Sequence, residues 1–260
     1  MAEVISVINQ KGGVGKTTTS VNLAYFLAKA GKEVMLIDFD PQGNASSGLG
    51  IEKKGLELTM AEVMLRKANI NDVVMQTRCK GLIVAPATPK LANAEVVMVG
   101  LNKKFTQLRE VVNGVEQFFD YIIIDCPPSL SILTVNAMVA SDWLLLPVQT
   151  EFYALEGVSQ LLDSMRLVKK GMNPNLKLLG VVATMHDKRT ALSSQVLIEV
   201  KKFFKDKVFE TTIPRNVRLA EAPSHGVAIG QYDKFSKGSR AYEKLAKEVM
   251  KRVEGGAKKK

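Results

Sequence analysis

Residues 9–18, Asn-Gln-Lys-Gly-Gly-Val-Gly-Lys-Thr-Thr, set two lysines and two hydroxyls around three glycines. Glycines let successive backbone N–H groups turn inward, which makes a cradle for phosphate oxygens. In such a cradle Lys16 reaches the β- and γ-phosphates of a nucleotide, and Thr17 offers its hydroxyl to Mg²⁺. The nucleotide-binding candidates are therefore Gly12, Gly13, Val14, Gly15, Lys16, Thr17 and Thr18. Two further segments carry carboxylates. Asp38 and Asp40 flank Phe39 in Leu36-Ile37-Asp38-Phe39-Asp40-Pro41-Gln42, and strand alternation points both the same way. Carboxylates repel a triphosphate unless a cation or a water lies between them. Asp125 closes the apolar run Tyr121-Ile122-Ile123-Ile124, a pattern that delivers a Mg²⁺-binding carboxylate at a strand end.

The elements around these residues fit that chemistry. Val4 to Ile8 reads as a buried strand, and Thr17 to Ala30 as an amphipathic helix ending at Gly31, so the glycines lie between a strand and a helix N-terminus. Further strands are expected at 33–38, 81–85, 120–125, 143–148, 178–184 and 208–213. Helices are expected at 93–118, 152–170, 192–206 and 238–253, and Thr59-Met60-Ala61-Glu62 has the form of a capping box. Near-continuous apolar strands alternating with helices predict an α/β fold, a mostly parallel sheet with helices on both faces. Ligands bind such sheets at the carboxyl ends of the strands, where Asn9, Asp38, Asp125 and Thr184 fall.

Whole-chain properties narrow the classes. No linker or repeat divides the 260 residues, so one domain over 1–254 with a flexible basic tail at 255–260 is expected. Cys79 and Cys126 form neither a disulfide framework nor a metal pattern, which suits a reducing cytoplasm. The chain enters its first strand at once, so no secretory leader is expected, and no apolar run is long enough to span a bilayer. His186 and His225 have no ligand-like neighbours at metal spacing. The net charge is +10, yet residues 1–184 hold 18 Lys/Arg against 17 Asp/Glu, while residues 185–260 hold 18 against 9. A basic C-terminal third of this kind suggests a polyanion-binding face.

The loop departs from the common G-x-x-x-x-G-K-[ST] form, because Gln10 stands at its first glycine and Lys11 precedes Gly12-Gly13. This K-G-G-x-G-K-T form resembles the deviant Walker A ATPases, which include the ParA/Soj partition ATPases, the MinD division-site ATPases and nitrogenase iron protein. The resemblance extends along the chain. Ile37-Asp38-Phe39-Asp40-Pro41-Gln42 matches the family's I-D-x-D-P-Q, and Asp125-Cys126-Pro127-Pro128 its second switch segment D-x-P-P. Phe152 to Gly157 and the run Ile213-Pro214-Arg215-Asn216 through Glu221-Ala222-Pro223-Ser224-His225-Gly226 resemble the ParA/Soj branch.

That resemblance implies roles. Lys11 reaches across a nucleotide sandwich dimer to the partner's phosphates, Asp38 holds a Mg²⁺-bound water, and Asp40 orients or deprotonates the attacking water, so Lys11, Lys16 and Asp40 are the catalytic candidates. Thr17, Asp38 and Asp125 are the metal candidates. Gln42 and Asn44 lie in a mobile loop that responds to the γ-phosphate. A Ras-type Asn-Lys-x-Asp is missing, which favours ATP, and Pro214 and Asn216 lie beside the adenine. Arg189 and Arg218 bind duplex DNA without reading sequence, helped by Lys188, Arg215, Lys234, Lys237 and Arg240. A ParB/Spo0J-type partner, an ATP-dependent homodimer, nucleoid association in the cytoplasm and no membrane attachment complete the expectation. The alternative is a MinD-like membrane ATPase, in which the apolar stripe Tyr242, Leu245, Ala246, Val249, Met250 and Val253 meets lipid rather than core.

Overall fold

Runs of Val, Ile and Leu become the middle of one seven-stranded sheet in the computed structural model, which describes residues 1–257. The strands are β1 (Glu3–Val7), β2 (Val34–Asp38), β3 (Met75–Gln76), β4 (Leu82–Ala85), β5 (Tyr121–Asp125), β6 (Trp143–Gln149) and β7 (Lys177–Thr184). Their order is β3-β4-β2-β5-β1-β6-β7, and all neighbours run parallel except the short edge pair β3 and β4. The helices are α1 (Lys16–Lys29), α2 (Asn44–Gly48), α3 (Met60–Met64), α4 (Lys90–Met98), α5 (Gln107–Asn113), α6 (Ile132–Ala140), α7 (Val158–Gly171), α8 (Ala191–Phe204), α9 (Val217–Glu221), α10 (Ile229–Tyr232) and α11 (Lys237–Ala257).

Side-chain alternation sorts the core. Ile5, Val7, Leu36, Ile123 and Leu145 face α1 and α11, where Leu23, Leu27, Tyr242 and Leu245 meet them. Their neighbours Val4, Met35, Ile37, Ile122 and Ile124 face the opposite layer with Met60, Leu91, Leu108 and Leu133. Leu144, Leu146 and Val181 continue that layer under α7 and α8. The apolar stripe of α11, Tyr242 through Val253, is thus taken up by the core, which removes the surface that a MinD-like lipid contact needs. Helix α1 is buried nearly all round rather than along one stripe, because α10 and α11 cover what the sheet leaves open.

Several expected elements are corrected. Residues 93–118 do not form one helix: α4 ends at Met98, and Asn136 clamps the following turns by donating to Lys104 O (2.7 Å) and accepting from Leu108 N (3.3 Å). Residues 208–213 touch β7 only at their ends, through Phe209 N to Val181 O (2.9 Å) and Ile213 N to Ala183 O (2.8 Å). Between them the N–H groups of Glu210 and Thr211 donate to the Glu248 carboxylate (2.9 and 3.1 Å), so a side chain replaces the ladder. Helix α7 starts at Val158, after turns that carry Phe152 and Tyr153 into solvent. Helix α11 passes the expected tail boundary at 254 and reaches Ala257; Lys258, Lys259 and Lys260 lie outside the described residues.

Candidate functional site

Strand order brings β2, β5 and β1 side by side, so three chain-distant ends converge. After β1, Asn9 ties the loop down: its Nδ2 donates to Pro147 O (2.8 Å) and its Oδ1 accepts from Lys11 N (3.0 Å). Gly13 and Gly15 adopt φ of +74° and +87°, which a residue with a side chain would adopt only under strain. A Cβ on Gly12 or Gly13 would meet nothing within 4 Å, so these two exposed positions face open space. Val14 is buried, and its carbonyl accepts from Thr184 Oγ1 (2.8 Å), which pins the loop to β7. Lys16 is 6% exposed and folds back to donate from Nζ to Lys11 O (3.0 Å). Burial pulls its ammonium below the usual lysine range, with Asp125 the main charge opposing that loss. The Lys11 ammonium has no hydrogen bond or ion pair among the described residues.

Asp38 and Asp125 are register partners on adjacent strands, both fully buried. Asp125 accepts from Thr17 Oγ1 and from Ser20 Oγ, each at 2.8 Å. Asp38 accepts from Ser46 N (2.7 Å), Ser46 Oγ (2.6 Å) and, more weakly, Asp40 N (3.3 Å). Burial pushes both carboxyls up from the ordinary range; the Asp38 charge adds to the rise at Asp125, and the nearby Asp40 charge adds to the rise at both. Two adjacent buried carboxylates beside a hydroxyl call for a cation. Among the described residues no three His, Cys, Asp or Glu side chains group as a self-sufficient metal cage. The donor set fits Mg²⁺, which binds through one or two protein oxygens, several waters and phosphate. Asp40 is also buried, its Oδ1 accepting from Gln42 N (2.9 Å). Lys53 Nζ donates to Gln42 O (2.7 Å), and Asn44 opens α2, so the expected loop is partly structured.

Beside the loop lies a cavity of about 290 Å³, lined by Gly15, Thr18, Thr184, Met185, Pro214, Asn216 and Tyr242 among others. Met185 adopts φ +50°, an uncommon conformation at the end of β7. Asn216 lines this cavity, while its Oδ1 caps α9 by accepting from Arg218 N (2.9 Å). A larger groove of about 1400 Å³ runs along the other side of the same segment. Lys188, Arg189, Arg215, Arg218, Lys237 and Arg240 all line it. Lys234 does not; its ammonium lies 4.9 Å over the Phe235 ring instead. Arg189 pairs with Asp187 (2.7 Å), and Arg218 with Glu221 (2.9 Å) and Asp233 (3.7 Å). These pairs are solvent-exposed, so each guanidinium can exchange its partner for a phosphate at little cost.

A family profile described as an AAA domain matches residues 2–178. The chain is 54% identical over 249 residues to the sporulation initiation inhibitor protein Soj of Bacillus subtilis, covering 96% of this chain and 98% of that one. It is 48% identical over 252 residues to the chromosome partitioning protein ParA of Myxococcus xanthus, covering 97% and 89%. The chain belongs to the Soj/ParA family of chromosome-partitioning ATPases. Like other Soj/ParA proteins it is an ATPase, and ATP with Mg²⁺ is its cofactor set. Among solved structures, cobyrinic acid a,c-diamide synthase from Mycobacterium smegmatis with bound ADP and magnesium superposes with a TM-score of 0.87 at 34% identity, covering 98% and 97%. MinD from Pyrococcus horikoshii with Mg-ADP is more distant, at TM-score 0.77 and 25% identity over 96% of both chains. No helix among the described residues is long and apolar enough to cross a membrane.

Ser20 and Ser46 escaped sequence reasoning, since a lone Ser carries no signal of its distant partner. Lys244, Lys247 and Lys251 also line the groove and were legible. With Lys237 and Arg240 they repeat every three or four residues, which is one face of a helix.

Proposed function

We propose that this Soj/ParA ATPase is a nucleotide-switched clamp on duplex DNA. What carries the reading is the groove: cations from the 188–189 loop, the 215–218 segment and α11 meet along one surface although they are far apart in sequence. Such a surface neutralises backbone phosphates and reads no bases. Residues 1–254 act as one ATPase unit in this reading. Lys16, Gly12 through Thr18, Pro214 and Asn216 hold the nucleotide, and Thr17, Asp38 and Asp125 hold the metal. Bound Mg²⁺ offsets the phosphate charge during hydrolysis. Asp40 orients the attacking water and takes its proton.

The free ammonium of Lys11 supports a dimer. Lys16 already occupies the protomer's own loop, whereas Lys11 is available to a second copy's phosphates. ATP then joins two grooves onto one duplex, which raises effective concentration. A ParB/Spo0J-type protein stimulates hydrolysis and release, and the dimer resides on the nucleoid.

Binding to a non-specific duplex is measured with ATP, ADP and no nucleotide, beside anionic liposomes. ATP-dependent capture of DNA with no liposome binding is expected. Liposome capture without DNA binding would replace this reading with the MinD-like one.

A further inference from the structure

Two glycines that no phosphate chemistry uses stand where the Mg²⁺ side of the site meets the DNA side. Gly50 follows α2, whose Ser46 is bonded to Asp38, and Gly226 ends the helical turn Ala222–His225 that continues α9. Their φ angles are +81° and +63°. A Cβ on Gly226 would lie 2.6 Å from Gly50 Cα, and one on Gly50 would lie 2.9 Å from Gly226 O. The two backbones therefore abut with no side chain between them. A close-packed contact without rotamers passes a displacement on instead of absorbing it.

Both ends of this contact lead to function. On one side, Ser46 Oγ donates to Asp38 and accepts from Ala87 N (3.1 Å), so a shift of the Asp38 carboxylate moves α2. On the other side, residues 214–217 form a shared wall, lining the cavity beside the phosphate loop and the basic groove. Arg218 pairs with Glu221 within its own helix and with Asp233 outside it. Displacement of α9 leaves the first pair intact and opens the second.

We propose that the Gly50–Gly226 contact is the joint through which the Asp38–Ser46 segment sets the position of Arg215 and Arg218 in the groove. Coupling then runs inside one protomer, in addition to any gain from dimerisation. The inference rests on the reading of the groove as a DNA site. A physical warrant for coupling is an element that both sites bias, and the 214–226 segment is contacted from both.

The test compares wild type, Gly50→Ala and Gly48→Ala. A Cβ on Gly48 would meet only Val21 at 3.7 Å and Pro223 at 4.0 Å, so Gly48→Ala is the benign neighbour. Duplex affinity is measured with and without Mg-ATP. Gly50→Ala should bind ATP as wild type does but lose roughly tenfold of the ATP dependence of DNA affinity, and Gly48→Ala should lose none. Equal ATP dependence in Gly50→Ala and wild type overturns the coupling while the DNA reading stands. No DNA binding by wild type under any nucleotide overturns the DNA reading itself. Should Gly50→Ala fold poorly, amide hydrogen exchange on wild type decides. At a concentration where light scattering reports a monomer, Mg-ATP should change protection over residues 217–226 without DNA. Unchanged exchange there refutes the joint.

Discussion

Lys11 and Lys16 are the same residue type five positions apart, and the fold gives them opposite settings. Lys16 is buried, with its ammonium folded onto the Lys11 carbonyl, and phosphate oxygens would replace that carbonyl as its partner. Lys16→Ala should weaken ATP binding by about a hundredfold, since a charge-assisted bond contributes roughly 1.5–3 kcal/mol and this side chain makes more than one. Calorimetric titration with Mg-ATP measures it; near-normal affinity would remove the phosphate-loop assignment. Lys11→Ala should bind ATP normally yet neither dimerise nor hydrolyse, as read by size-exclusion chromatography and phosphate release. A fully active variant would dismiss the role across the interface. Asp40 should show the reverse. With the roles proposed above, Asp40→Ala would keep the metal-holding carboxylates and lose only the water-orienting one, so ATP should persist and a dimer peak should accumulate. A variant that binds ATP but stays monomeric would make Asp40 a structural residue of its loop.

Elements hold these residues through contacts that join the two ends of the chain. Helix α1 carries Thr17 and Ser20 to Asp125, and α11 braces α1 from behind through Tyr242, whose hydroxyl lies 3.1 Å from Thr19 Oγ1. Tyr242 is fully buried, and burial pushes its phenol above the ordinary range. Tyr242→Phe should cost about 1 kcal/mol, the net value of one neutral hydrogen bond. Tyr242→Ala should cost about 3–5 kcal/mol, because it also leaves a cavity between the helices. Urea denaturation measures both. Equal losses in the two variants would mean that packing against α1 contributes nothing.

For the molecule as a whole, the fold gathers cations from three separate parts of the C-terminal third along one groove. Duplex affinity should fall with salt at a slope near −0.9 per neutralised phosphate, and the slope should become shallower by about one for each phosphate that a variant leaves unneutralised. Arg189→Glu, Arg218→Glu and Lys247→Glu should each weaken binding about equally across DNA sequences and leave ATP affinity intact. Lys234→Glu should matter least, because Lys234 stands outside the groove. Filter binding over a salt series reads all four. An unchanged slope in Arg189→Glu and Arg218→Glu together would place the DNA elsewhere.

Much of the site could be read from the chain before any coordinates. The glycine loop, its flanking strand and helix, and the carboxylates at two strand ends are local patterns, because backbone N–H geometry and side-chain alternation act over a few residues. Period and composition also determined the alternation of strands and helices and the basic C-terminal third. Long-range packing decided the rest. Asp38 faces Asp125 because β5 inserts between β1 and β2, which no periodicity encodes. The strand expected at 208–213 became an irregular segment because the Glu248 side chain supplied acceptors that a ladder would otherwise provide. The stripe on α11 went to the core rather than to lipid because α1 and the sheet offered it an apolar surface. Gly50 and Gly226, 176 positions apart, meet only because tertiary contacts bring α2 against the turn before Gly226.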